Sequence, residues 1–151
     1  MTPAALSAAR PVSHGAYPAD YLRDLLTRAR TIAVVGASNE PWRPSFGIMR
    51  YLQRAGYRVV PVNPFLVGQS VHGEAFRPSL RELRETVDLV NVFRRPDAVD
   101  GVVDDAIATG APSLWMQLGV RNDAACARAE AAGIAVVMNR CISVEHARLC
   151  R

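Results

Sequence analysis

The sequence predicts an α/β protein, a Rossmann-like open parallel sheet of about five strands with helices on both faces. Three observations carry that prediction. Short runs that are apolar on both faces, such as Thr31-Ile32-Ala33-Val34-Val35, alternate along the chain with stripes of helical period. Three of those stripes close on glycine (Gly56, Gly110 and Gly133), each shortly before the next apolar run. Connections this short between alternating strands and helices imply right-handed crossovers in one sheet. A length of 151 residues, 50% hydrophobic and 21% charged, suits one domain with a substantial core.

Residues 1–16 contain Ala, Pro, Ser and Gly without a continuous apolar stretch, and read as a flexible N-terminal arm rather than a secretory leader. The Rossmann-like domain then spans 17–151. Tyr21, Leu22, Leu25, Leu26 and Ala29 share one helical face, and the first strand follows, stopping at Gly36. A helix beginning near Ser45 carries Ile48, Met49, Leu52 and Ala55, and the strand Val59-Val60-Pro61-Val62 ends at Asn63-Pro64. Ser79-Leu80-Arg81-Glu82 has the capping-box pattern and predicts a short helix before the strand Leu89-Val90-Asn91-Val92-Phe93. Val99, Val102, Val103, Ala106 and Ile107 fall on one helical face. Leu114-Trp115-Met116 makes the fourth strand. Asn122 or Asp123 caps an Ala-rich helix to Ala132, Ile134 to Met138 makes the fifth strand, and His146 falls in a last helix.

The basic residues are unusual, because all 18 are Arg and none is Lys. Against eight Asp and six Glu they leave a net charge of +4. Without Lys there is no Schiff-base amine, no P-loop Lys and no Lys general base. Arg replaces none of these, since its guanidinium keeps its proton. Codon usage in a GC-rich genome is the plainer origin of the deficit, and the exclusions hold either way. The Arg residues are scattered over all elements and the aromatics are not interleaved with them, which argues against nucleic acid as a partner. Cys126, Cys141 and Cys150 form no CxxC pair, and three His lack zinc-site spacing, so no metal site is expected. An odd number of unclustered Cys fits a reducing, cytoplasmic setting. No apolar stretch approaches the roughly 18 residues of a membrane span.

In an open parallel sheet, ligands bind beyond the carboxyl ends of the strands. The first exit, Gly36 to Ser45, pairs a tight turn and a hydroxyl at Ser38 with the positive end of the following helix, which makes a phosphate-binding loop. It is not a GxGxxG match, because the next glycine after Gly36 is Gly47. The second exit carries Asn63-Pro64 where NAD sites place an acid, and no acid lies between Ala55 and Gln69. With Arg43 and Arg58 nearby, this permits a phosphorylated ribose and leaves an NADP-like or coenzyme-A-like nucleotide. Neither a Tyr-x-x-x-Lys pair nor a His–acid pair stands at the strand ends, which disfavours NAD(P) oxidoreduction.

Seven segments bear a resemblance in register. They are Val34-Val35-Gly36-Ala37-Ser38, Arg43-Pro44-Ser45, Gly56-Tyr57, Pro61-Val62-Asn63-Pro64, Val92-Phe93-Arg94-Arg95-Pro96, Trp115-Met116-Gln117-Leu118-Gly119-Val120 and Arg140-Cys141. Together they resemble the stand-alone CoA-binding domain family, itself similar to the CoA-binding domain of the succinyl-CoA synthetase α subunit, from Leu22 to Leu149. The resemblance implies a Rossmann-like fold with CoA or an acyl-CoA lying across the strand ends. The phosphates would then lie on Gly36, Ala37, Ser38, Arg43, Pro44 and Ser45, with Asn63 and Pro64 near the adenosine end. Phe93 and Arg94 would complete the groove, and Gln117 is added as a strand-end amide. The family commonly has an acid before its Arg-Cys pair, and Asn139 stands there instead. No segment here corresponds to the ligase domain that bears its phosphorylated His, and His14, His72 and His146 read as surface or structural residues.

No catalytic and no metal residue is nominated, and non-catalytic binding is the favoured function. The alternatives are an enzyme using NADP or an acyl-CoA thioester, and a CoA-sensing module whose protein partner is unknown. Arg95 could hold a phosphate or pair with Asp97. Trp42 and Phe65 could stack on adenine, although covering a loop is the favoured role. Cys141 could serve a redox or mixed-disulfide role, with a small buried residue as the favoured reading.

Overall fold

Five short strands lie side by side and parallel in the computed structural model, which describes residues 12–150. Residues 1–11 of the expected arm and Arg151 lie outside the described residues. The strands are β1 (Thr31–Val35), β2 (Arg58–Val62), β5 (Leu89–Val92), β6 (Ser113–Met116) and β7 (Ala135–Val137), and they run in the order β2-β1-β5-β6-β7. Ile32 stands opposite Val59 on one side and Leu89 on the other, and Trp115 stands opposite Asn91 and Val137. This is the doubly wound, Rossmann-like architecture expected.

Because side chains alternate across a strand, each run feeds two cores. Ile32, Val34, Leu89, Trp115 and Val137 point to one face, where α1 (Ala19–Arg28), α2 (Pro44–Arg54) and α5 (Ile142–Leu149) cover them. Ala33, Val90, Val92, Leu114, Met116 and Val136 point to the other, under α3 (Val99–Thr109) and α4 (Asp123–Ala131). Strands buried on both faces need continuous apolar runs, which is why the sequence lacks an alternating polar pattern there. The helices need only one apolar stripe: α1 buries Tyr21, Leu22, Leu25 and Leu26. Each such leucine contributes about 2–5 kcal/mol relative to alanine. The two large buried aromatics have their polar ends satisfied, the Tyr21 hydroxyl donating to the Val136 carbonyl and the Trp115 indole to that of Arg140, both at 2.9 Å.

Asp88 stitches the amino edge of the sheet. One of its carboxylate oxygens accepts from the amides of Arg30 and Thr31, each at 2.9 Å, and its carbonyl accepts from the Ser113 hydroxyl at 2.8 Å.

Two segments depart from expectation. Leu80–Glu82 is a single 3-10 turn rather than a helix, and the Ser79 side chain makes no capping bond. Leu80 is drawn into the core shared with α3, and the chain leaves in extended conformation at Leu83, so no second turn forms. Between Pro64 and Ser79, where the sequence predicts no element, β3 (Ser70–Val71) and β4 (Glu74–Ala75) form a small antiparallel hairpin. Its turn places His72 and Gly73 at φ 50° and 82°, the left-handed pair a two-residue hairpin requires. No helix of the described residues is long and apolar enough to cross a membrane.

Candidate functional site

After β1 the chain crosses through α2 on one face, and after β5 it crosses through α3 on the other. Adjacent strands whose connections leave in opposite directions open a crevice above their carboxyl ends. Two cavities of about 360 and 380 Å³ lie there, and Gly36 lines both. Gly36 sits at φ 85°, and a Cβ on it would fall 2.2 Å from the Phe93 carbonyl oxygen, so only glycine lets β1 and β5 exit this closely.

Of the expected binding residues, Ser38, Arg43, Pro44, Ser45, Asn63 and Phe93 line the first cavity with Gly36. Pro64 and Arg94 line the second with it. Ala37 is fully buried and Gln117 is also buried; neither lines either of these two cavities. Gln117 instead accepts from the Asn91 side chain and the Ile142 amide, each at 3.3 Å.

The loop is held by its own side chains. The Ser38 amide donates to Ser45 Oγ and the Glu40 amide to Ser38 Oγ, both at 3.0 Å. The Asn63 amide donates to the Ala37 carbonyl at 2.9 Å while its oxygen accepts from the Phe65 amide at 2.9 Å. Asn63 therefore spends its side chain on tying the first exit to the second. Pro44 opens α2, and Arg43 at the N-cap makes no side-chain capping bond. The positive end of an 11-residue helix thus borders the first cavity without a side-chain acceptor at its cap.

Charges around the crevice are unevenly committed. Arg43 pairs with Glu40 at 3.3 Å, an exposed contact worth little. Asp105, on the wall of the second cavity, is held by Arg81 at 2.7 Å. Arg94 on the same wall makes no ion pair among the described residues. Arg95 lies 3.5 Å from Asp97, in accord with the ion-pair alternative for that residue. Trp42 and Phe65 cover no loop, contrary to the favoured expectation: they are 74% and 85% exposed, and Phe65 borders the first cavity.

At the far end of the crevice edge, Asn139 adopts a left-handed φ of 58° and accepts from the Gly119 amide at 2.8 Å. An aspartate oxygen could accept the same bond, so the departure at this position preserves the local geometry. Cys141 is half-buried rather than enclosed, at the N-cap of α5. Burial raises its thiol, but hydrogen bonds from the Ser143 side chain, the Val144 amide and Gln117 outweigh it and leave the thiol below its usual range. His72 lies 2.7 Å from the Phe46 carbonyl and His146 2.9 Å from the Tyr51 hydroxyl, both as structural contacts. Sequence reasoning missed Gly101 and Val102 of α3, which wall the second cavity. A glycine inside the helix, seven residues after Arg94, was the available signal.

The sequence pattern of the family described as CoA binding domain matches residues 30–147. The chain belongs to that family. This CoA-binding domain is 38% identical to the Bacillus subtilis (strain 168) protein YneT over 126 residues, covering 83% of the chain and 92% of the relative. Among solved structures it is similar to a Pyrococcus horikoshii protein at 34% identity and a TM-score of 0.87, covering 94% of this chain and 99% of that one. A Thermus thermophilus protein follows at 41% identity and a TM-score of 0.84, covering 88% and 99%. A dinucleotide-forming acetyl-coenzyme A synthetase of Ca. Korarchaeum cryptofilum, in complex with phosphate and ADP, matches at 26% identity and a TM-score of 0.59. That match covers 70% of the CoA-binding domain but 25% of the synthetase.

Proposed function

We propose that the chain binds coenzyme A or an acyl-CoA without transforming it, in the crevice over β1 and β5. One observation carries this reading: two cavities share Gly36 at the point where the crossovers diverge, and one of them borders the start of α2, where no side chain caps the helix. The pyrophosphate lies at that helix end, against Ser38, Arg43 and Ser45. Arg94 meets the 3′-phosphate from the second cavity, and the open face of Phe65 receives the adenine. Asp105 is held by Arg81, Glu40 is exposed beside Arg43, and no His, Cys or Tyr lines either cavity, which supports binding over acid–base chemistry.

Calorimetric titration of the full chain with CoA, dephospho-CoA and NADP tests the reading. CoA should bind more tightly than dephospho-CoA, and Arg94→Ala should erase the difference, roughly 1.5–3 kcal/mol for a charged hydrogen bond. Absence of heat with CoA would overturn the reading.

A further inference from the structure

The structure brings together three metal-ligating side chains that lie outside the crevice. Cys126 and Glu130 stand one turn apart on α4, and His14 reaches them from the segment that precedes α1. His14 Nε2 is 3.0 Å from Glu130 Oε2 and 3.4 Å from Cys126 Sγ, and Cys126 Sγ is 3.5 Å from Glu130 Oε1. All three ligand atoms lie within 4.8 Å of one another.

We infer that His14, Cys126 and Glu130 form a binding site for a borderline divalent cation of the zinc class. The spacing is the first argument. Zinc bonds of about 2.0–2.1 Å to nitrogen and oxygen and about 2.3 Å to sulfur, at tetrahedral angles, set the ligand atoms roughly 3.3–3.6 Å apart. The 3.4 Å between His14 Nε2 and Cys126 Sγ matches one edge of such a face. The two oxygens of Glu130 flank that edge, Oε2 at 3.0 Å from the imidazole and Oε1 at 3.5 Å from the thiol, so that a small turn of the carboxylate completes the face and leaves a fourth position for water. The donor set is the second argument: a thiolate, an imidazole and a single carboxylate suit zinc or cobalt and are too soft and too few for calcium or magnesium.

The surroundings are the third argument. Tyr17 Oη lies 2.6 Å from His14 Nδ1 and accepts from the Met138 amide at 2.8 Å, so the ring is oriented with Nε2 towards the other two ligands. Arg140 lies over the Tyr17 ring at 5.2 Å from its centroid and donates to the Gly15 carbonyl at 3.4 Å, which fixes the segment carrying His14. A bound cation would staple that segment to α4, 112 residues away in the chain. Linear spacing concealed the site, because its ligands come from two distant elements and only Cys126 and Glu130 show a helical interval.

The full chain, stripped with a chelator, is titrated with Co²⁺ alone and then with Zn²⁺. One equivalent of Co²⁺ should produce a sulfur-to-cobalt charge-transfer band together with the intense visible bands of a four-coordinate ion, and Zn²⁺ should abolish both. Cys126→Ser should remove the charge-transfer band with unchanged circular dichroism. Glu130→Gln, a partly exposed change that leaves the thiol in place, should weaken Co²⁺ binding. Tyr17→Phe should weaken it by roughly 10–100-fold through the orienting contact. A wild-type chain that gives no charge-transfer band, or a band undiminished in Cys126→Ser, overturns the inference and leaves a hydrogen-bonded triad only. The titration is independent of CoA, so it stands or falls separately from the proposed function.

Discussion

A methyl group on Gly36 would meet the Phe93 carbonyl at 2.2 Å on a backbone already in the left-handed region. Gly36→Ala should therefore lower stability by roughly 2–5 kcal/mol, combining backbone strain with overpacking. The urea midpoint measures this directly, and the CoA heat should vanish with it. An unchanged midpoint would mean that the two strand exits are not held together as described. Gly36 was legible in the sequence, because an apolar strand run that stops at glycine before a helix has few other meanings. The job of Asn63 was not. Its place at a strand exit was plain, but residue type alone does not tell whether an amide faces a ligand or, as here, the Ala37 carbonyl and the Phe65 amide. Trp42 and Phe65 were misjudged for a similar reason, since whether a loop aromatic finds a surface to cover depends on neighbours distant in sequence.

At the scale of elements, α2 and α5 meet through Tyr51 and His146, whose hydroxyl and ring nitrogen are 2.9 Å apart. Burial holds the His146 imidazole below its ordinary range near 6.5. The unfolded chain then binds more protons than the folded one as the pH falls through that range, and stability falls with it. The stabilising contribution is complete above the unfolded pKa of about 6.5 and is lost as the pH drops towards and below the lowered folded value. Urea midpoints taken between about pH 8 and about pH 5 should decline, and His146→Gln should flatten that decline. A wild-type midpoint that holds constant across the interval would refute the assignment. The long elements were readable because period and length agree in them, as in the α3 stripe from Val99 to Ile107. The β3–β4 hairpin was not, for its strands are two residues each and His72 stands where Asn or Asp would have signalled the turn. The Ser79 to Glu82 pattern misled because a capping box needs a helix to cap, and Leu80 is held by the core instead.

For the whole molecule, the strand order β2-β1-β5-β6-β7 decides where a ligand can go. Alternation of elements foretold the parallel sheet, but the order of its strands arises from packing across the molecule and has no local signature. The uniformly Arg-based charge proved a weak guide to function. Many of those residues are occupied in ion pairs, such as Arg58 and Arg77 with Glu85, while Arg94 at the crevice makes none among the described residues. Asp88 lies at the opposite edge from the crevice, so Asp88→Ala should cost roughly 1–3 kcal/mol and lower the melting temperature while leaving CoA affinity unchanged. Parallel calorimetry and thermal melts check this, and a matching loss of affinity would contradict it. The same strands thus carry two tasks at their two ends, the hydrogen bonds around Asp88 at one and the cavities around Gly36 at the other. Such an arrangement makes the fold evolvable, since loops at the crevice can drift towards new nucleotides while the far edge goes on holding the chain folded. A hardier variant for laboratory use is accordingly to be sought around Thr31, Asp88 and Ser113, out of reach of whatever the crevice recognises.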